Sequence, residues 1–548
     1  MLDFRTALAV SVMVAAPLQA QQVADHAALV DLYKGFRAAA EVPVSAGVAD
    51  HGPQAMAARA AMAQTVMQRL EATDDSAWPV KQRADLMLVL AEARSVWFEQ
   101  QVLRPFARDP SWYATLALGW GPKISTAIPV PTYPLSPAAT TAYTRELPLV
   151  PARLAAARRS LTEMKGDLVT LGLTHHGIET RVYGRMAREL AKSNPALAKQ
   201  AAAAERASAD FVRWLEAEQP KLPKAAGVGK AQLDWYLRYA LLFPWGFDDM
   251  KLLGRRELER TWAFLKMEEH EHRDTPMLPP VTTLADFEAM RTKADIDLLK
   301  FLKEKKIFTV PDWLAPPEPE VPYVMPVNRD PAVPGPFDAP IRRGFFRETE
   351  DREPRTLRAH NLPGHQFDSM WRRRSTDPIR ADTRLNFIDS SRIEGWAFYL
   401  EELVTQAGWL DDGPKAREIS YILLANRAAR LWPELLVHSG EWDYTTAVTR
   451  LATDTPMYMT PQDDTANFDM TLYLRQPGLG LNYYFGKLQI EQLLTDVAMQ
   501  QGKAFNLTKF HDDFIARGLV PIALTRWEMT GLEDQIKPLR KAPPIPKG

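Results

Sequence analysis

The chain has 548 residues, 46% of them apolar, no cysteine, and 67 basic against 68 acidic side chains for a net charge of -1. Such a composition supports a large buried core. It excludes disorder, disulfides and thiolate chemistry, and its even charge gives no electrostatic footprint for nucleic acid.

Residues 1–20 read as an export signal. Arg5 closes a short polar start, Ala7 to Ala16 is apolar apart from Ser11, and Leu18-Gln19-Ala20 ends on a small residue at the cut. The mature chain would begin near Gln21 in the periplasm or the medium; the alternative is a buried N-terminal helix. No cysteine follows the apolar stretch to carry a lipid anchor. No later run reaches the roughly 18 apolar residues that span a bilayer.

Residues 21–310 form the expected N-terminal helical lobe. Helical periodicity runs through it, as in Gln82 to Phe106, where Leu86, Leu88, Leu90 and Ala93 lead into Trp97 and Val102. Residues 152–222 read as two long alanine-rich helices interrupted near Thr174-His175-His176-Gly177, where the histidines would cap or turn; Asn194-Pro195 marks a further helix start. The run Glu268-Glu269-His270-Glu271-His272 lacks His-Glu-x-x-His spacing and reads as a solvated helix end.

Residues 311–345 are proline-rich, which predicts an extended crossing segment. Residues 346–548 then form a C-terminal helical lobe, with helices around 357–374, 393–407, 415–437, 444–452 and 481–500. The fold class is all-α, a large multi-helix bundle with a deep cleft between two helical lobes.

With no cysteine available, any metal ion must sit on His, Asp or Glu. His360 and His365 flank Pro363-Gly364, and Glu394 follows about one helical hairpin later, the ingredients of a His-His-Glu site with an open fourth position. Residues five apart on an ideal α-helix point roughly 140° away from each other, so joint ligation needs a bend at Pro363-Gly364. Glu434 and His438, four apart, offer either a helix-surface hydrogen bond or proton-transfer machinery. Tyr473 and Tyr483 are candidate oxyanion donors. Arg392 and Tyr399 are candidate substrate contacts, although the i, i+3 pair Trp396 and Tyr399 reads first as helix packing. Glu401 either faces water or orients a ligand.

These residues carry a resemblance to the bacterial domain-of-unknown-function 885 family, DUF885, whose usual signatures are His-Glu-Ala-Val-Pro-Gly-His-His and Glu-Gly-Trp-Ala-Leu-Tyr-Ala-Glu. The second matches through Glu394, Gly395, Trp396, Ala397, Tyr399 and Glu401. Farther on, Arg427-Ala428-Ala429-Arg430, Glu434, His438 and Trp442, then Tyr473, Pro477, Gly478, Tyr483 and Gly486, are similar to its later motifs. Departures are local: Ala359 and His360 stand where the family has His and its expected catalytic Glu, Gln366 replaces a His, Leu472 an Arg and Leu479 a Gln.

The resemblance implies a helical, zinc-peptidase-like protein. Two outcomes stay open. A rearranged site would hold one divalent metal, zinc first, on His360, His365 and Glu394 and hydrolyse short peptides or amides. Alternatively, an inactive relative would bind a peptide or small metabolite in the same cleft.

Overall fold

The computed structural model describes residues 22–117, 128–316 and 344–547 except 458 and 462. The expected signal at 1–20 and most of the proline-rich stretch lie outside the described residues. Among them the protein is helical, with two minimal strand pairs, Val44–Ser45 antiparallel to Val48–Ala49 and Leu116–Ala117 parallel to Ile128–Pro129. The all-α expectation holds. No described helix is long and apolar enough to cross a membrane.

The first half runs α1 (His26–Ala39), α2 (Pro53–Ala72), α3 (Val80–Phe98), α4 (Pro105–Arg108), α5 (Pro137–Glu146), α6 (Val150–Ser160), α7 (Gly166–Glu189), α8 (Pro195–Glu218), α9 (Lys230–Tyr239), α10 (Phe247–Glu271) and α11 (Leu284–Lys305). The second half runs α12 (Phe345–Thr349), α13 (Arg355–His360), α14 (Phe367–Arg374), α15 (Ser390–Gln406), α16 (Pro414–Ala429), α17 (Leu431–Ser439), α18 (Tyr444–Asp454), α19 (Asp464–Arg475), α20 (Leu479–Gln501), α21 (Leu507–Ala516) and α22 (Ile522–Thr530).

The helix expected over 82–106 stops earlier. After α3 the backbone loosens into a π-turn, Glu99–Leu103, and Arg104 takes a left-handed φ of 42°. From Ala84 to Val96 every residue of α3 is buried, as befits a helix surrounded on all sides. Its charges are therefore paired: Glu92 with Arg384 at 3.0 Å, and Asp85 with Arg380 at 2.6 Å. Arg94 donates to the carbonyls of Leu539 and Arg540. Such pairs stay buried only when matched, so α3 fixes segments from the far end of the chain.

The expected interruption at 174–177 is absent. Gly166–Glu189 is one continuous helix, because His175, His176 and Glu179 face inward and their tertiary contacts override weak local propensity. The break falls at 190–194 instead, where the Asn194 side chain accepts from the Leu197 amide and Pro195 opens α8. The His270–His272 stretch ends α10, as the sequence suggested.

One apolar core runs from Val23 to Leu539 and draws on helices from both sides of the proline-rich stretch. A second is built mainly from α5 to α8 and takes in Tyr113, Leu116 and Ile128. A third, around Trp396, joins α11, α13, α15, α20 and α21 and carries the site described next.

Candidate metal centre

α13 ends at His360, and the chain continues through a π-turn, Asn361–Gln366, into α14. Pro363 has no amide hydrogen for the α-helical bond to the Ala359 carbonyl, and the ladder widens to i→i+5. That register places residues five apart on one side. The bend anticipated at Pro363-Gly364 is thus a π-turn, and it is what brings His360 and His365 together.

Small residues let α15 approach. A Cβ on Gly364 would lie 2.9 Å from the Ala397 Cβ, and one on Gly395 would lie 2.5 Å from the Gly486 Cα of α20. The Trp396 indole locks the first contact by donating to the Pro363 carbonyl at 3.0 Å. Glu394 and Glu401, seven residues and two turns apart, project from one face of α15. Tyr483 lies nearly one turn before Gly486 on α20.

His360 Nε2, His365 Nε2 and a Glu394 carboxylate oxygen converge. Their separations are 2.9 Å between the imidazoles and 3.6 and 3.4 Å to Glu394. They form the one group of three or more such ligands among the described residues that could hold a metal ion. Bonds of roughly 2.0–2.2 Å in tetrahedral geometry put ligand atoms about 3.3 Å apart, so the triangle fits a divalent ion with little adjustment. His365 keeps 33% of its side chain exposed, against 9% for His360 and 17% for Glu394, so the site opens on the His365 side.

Behind the triad, His360 Nδ1 meets Glu401 Oε1 at 2.7 Å, and Arg427 Nη2 meets the same oxygen at 3.1 Å. Glu401 is fully buried, not facing water. A carboxylate backing the distal nitrogen of a ligating imidazole fixes its tautomer and raises its basicity. Burial alone would raise the Glu394 carboxyl, but His365 and His360 hold it at about 2. His365 is shifted up, since Glu394 outweighs the downward push of burial, while burial and the neighbouring His365 shift His360 down.

The Tyr483 ring stacks on His360 with centroids 6.2 Å apart, close enough to Glu394 for that carboxylate to act on its phenol. The Arg430 guanidinium lies 4.9 Å above that ring and pairs with Asp469 at 3.1 Å and Asn426 at 3.0 Å. Tyr473 is buried beside Asp469. Burial drives both phenols well above their ordinary range.

The remaining candidates are buried in other partnerships. Glu434 and His438 are fully buried and serve separate partners, so they are no helix-surface pair. Glu434 accepts from the Gly478 and Leu481 amides at the start of α20, and burial pushes its carboxyl up to about 8. His438 Nε2 sits 2.9 Å from the Tyr473 carbonyl. Arg392 pairs with Asp368 on α14 at 3.1 Å and stacks on Phe514. Tyr399 packs on Trp396 and hydrogen-bonds His511. Sequence reasoning named Arg427 and Arg430 only as motif positions and passed over Asp469. Their pairing across α15, α16 and α19 leaves no short-range spacing signal.

A large groove, ≈ 570 Å³, lies elsewhere, lined by Trp371, Arg374, Arg380, Arg517 and Glu528 among others. None of the triad residues lines it.

The sequence pattern of DUF885, a bacterial protein of unknown function, matches residues 35–529, and the chain belongs to that family. No curated protein matches it. Among solved structures it is similar to "a putative lipoprotein of unknown function from Shewanella oneidensis", with a TM-score of 0.68 at 15% identity over 92% of this chain and 100% of that one. A second is "the putative lipoprotein from Colwellia psychrerythraea", with a TM-score of 0.65 at 15% identity over 93% and 99% of the two chains. At such identity the likeness shows a shared fold.

Proposed function

We propose that this protein is an exported metal-dependent hydrolase acting on peptide or amide bonds in short substrates, with one divalent ion, zinc first, on His360, His365 and Glu394. The observation that carries the reading is the convergence of three donor atoms, two imidazole nitrogens and a carboxylate oxygen, with Glu401 and Arg427 standing behind His360. Two imidazoles and a carboxylate are the donor set of open catalytic zinc sites, where the ion supplies Lewis acidity to a carbonyl. Tyr483 stays protonated at neutral pH and can donate to a developing oxyanion. Tyr473, beside Asp469, supports that wall. The apolar start of the chain favours export, as do the names of its structural neighbours.

One observation favours a second reading, a non-catalytic relative that binds a peptide or small metabolite. His360 occupies the family's catalytic-Glu position, and the carboxylates around the triad are committed: Glu401 to His360 and Arg427, Asp469 to Arg430, Glu434 to the α20 amides. Water activation then lacks a free general base.

Elemental mass spectrometry on untagged wild type and Glu394→Ala, alongside peptide hydrolysis with and without chelator, separates the two. Near-stoichiometric metal that the variant loses, with turnover abolished by chelation and restored by zinc, is the outcome expected of the hydrolase. Substoichiometric metal, no turnover and ligand-dependent thermal stabilisation would establish the binding protein.

A further inference from the structure

The wall of the triad is cationic. Arg427 and Arg430, one turn apart at the end of α16, are 3% and 4% exposed. Each spends part of its guanidinium on a neighbour, Arg427 on Glu401 and Arg430 on Asp469 and Asn426. Arg427 Nε and Nη1 and Arg430 Nε are buried and have no acceptor within the protein. Buried charged donors are normally satisfied, and an orphan among them asks for a missing partner.

The charge tally leads to the same place. Around the triad stand the carboxylates of Glu394, Glu401 and Asp469 and the guanidiniums of Arg427 and Arg430. Arg392 and Asp368 cancel each other, and Glu434 is turned into the positive end of α20. When neutral imidazoles hold a divalent ion, three negative charges face four positive ones. A low-dielectric site with one uncompensated positive charge favours an anionic ligand over a neutral one of the same shape.

Resting on the metal-site reading above, we infer that the ligand of this centre carries a free carboxylate close to the group that meets the metal, and that Arg427 and Arg430 provide the positive field that receives it. For a hydrolase this is the α-carboxylate of a terminal residue, so cleavage would release the last residue of a short peptide or of an N-acyl amino acid. Arg430 also braces the Tyr483 ring, so a variant that keeps its charge is needed to tell its field from its packing.

Two small hydroxamates test the inference without turnover. Acetohydroxamate and the monohydroxamate of succinic acid share a metal-binding head, and only the second adds a carboxylate. Titrated calorimetrically into metal-replete full-length protein at low salt, the succinic compound should bind at least about ten-fold tighter. Arg430→Gln should reduce the preference to near unity, while Arg430→Lys, which keeps the charge, should retain most of it. Metal content and circular dichroism on each variant report whether site and fold are intact. Equal affinities in the wild type, a preference that survives R430Q, or no binding of either compound by metal-replete protein overturns the inference. Failure of the metal reading itself shows separately, as protein that takes up no metal.

Discussion

Among the described residues, two clusters bring together two histidines and a glutamate, one fully buried and one partly open, and they differ in what their lone pairs face. In α7, Glu179 accepts from the Thr115 amide and hydroxyl and the Leu116 amide, while its second oxygen meets His176 Nδ1 at 2.7 Å. His176 Nε2 lies 3.1 Å from the Pro110 carbonyl. The contacts close on the protein itself, and the cluster pins the 110–116 segment against α7. In the α13–α15 cluster the Nε2 atoms of both histidines and a glutamate oxygen point at one another. Composition is the same; convergence of donor atoms separates a strut from a candidate site.

The sharpest way to break that distinction is to remove each glutamate in turn. Glu394→Ala should cost the metal, with occupancy falling from near one to below about a tenth, since a two-ligand remnant holds zinc poorly, while the fold stays intact by circular dichroism. Glu179→Gln should leave metal content unchanged and lower unfolding stability by about 3–5 kcal/mol in urea melts, the usual cost of breaking a buried pair. Metal lost from E179Q, or a collapse of stability in E394A, would erase the contrast.

Acidity sharpens it further. Burial alone would raise the Glu179 carboxyl, yet His176 holds it at about 2, against an ordinary 4.5, and Glu179 in turn shifts His176 up against the pull of burial. The depressed carboxyl contributes stability that is full above about 4.5 and disappears as pH falls toward about 2. The raised imidazole contributes stability that is full below its ordinary 6.5 and disappears as pH rises through its raised value. The stability gap between wild type and E179Q should therefore be widest between those two ordinary values and shrink on acidification. A gap that is flat from pH 3 to 6 would mean that the pair is not ionised in the fold.

What the sequence conveys follows from which interactions are local. Caps and punctuation such as Asn194-Pro195 are short-range, and they were legible. Glu394 and His365 stand out because they lie in motifs, and His360 because it flanks the same Pro363-Gly364 break. The π-turn does not, because Pro363-Gly364 predicts a break without its register, and neither does the reason for Gly395 and Gly486, which is a contact between helices about ninety residues apart. His175 and His176 were misplaced at a turn because only the fold shows that they face inward. Glu401 offered two readings that spacing could not separate, since its partners, His360 and Arg427, come from other helices.

Glu401 and its neighbour Glu402 provide the finest test. Both are ionic partners on α15, but successive residues leave a helix about 100° apart. Glu401 turns to His360, while Glu402 pairs with Lys487 at 2.7 Å and Arg260 at 2.9 Å. Neither touches the space where the metal would sit. If Glu401 acts by holding the His360 ring, Glu401→Gln should weaken zinc affinity by about 10–100-fold in a competition titration, the usual cost of losing a carboxylate behind a ligating histidine. Glu402→Gln should leave affinity within about two-fold, because its partners lie outside the ligand set. Equal losses in the two variants would trace the effect to a general loosening of α15 and remove the orienting role from Glu401.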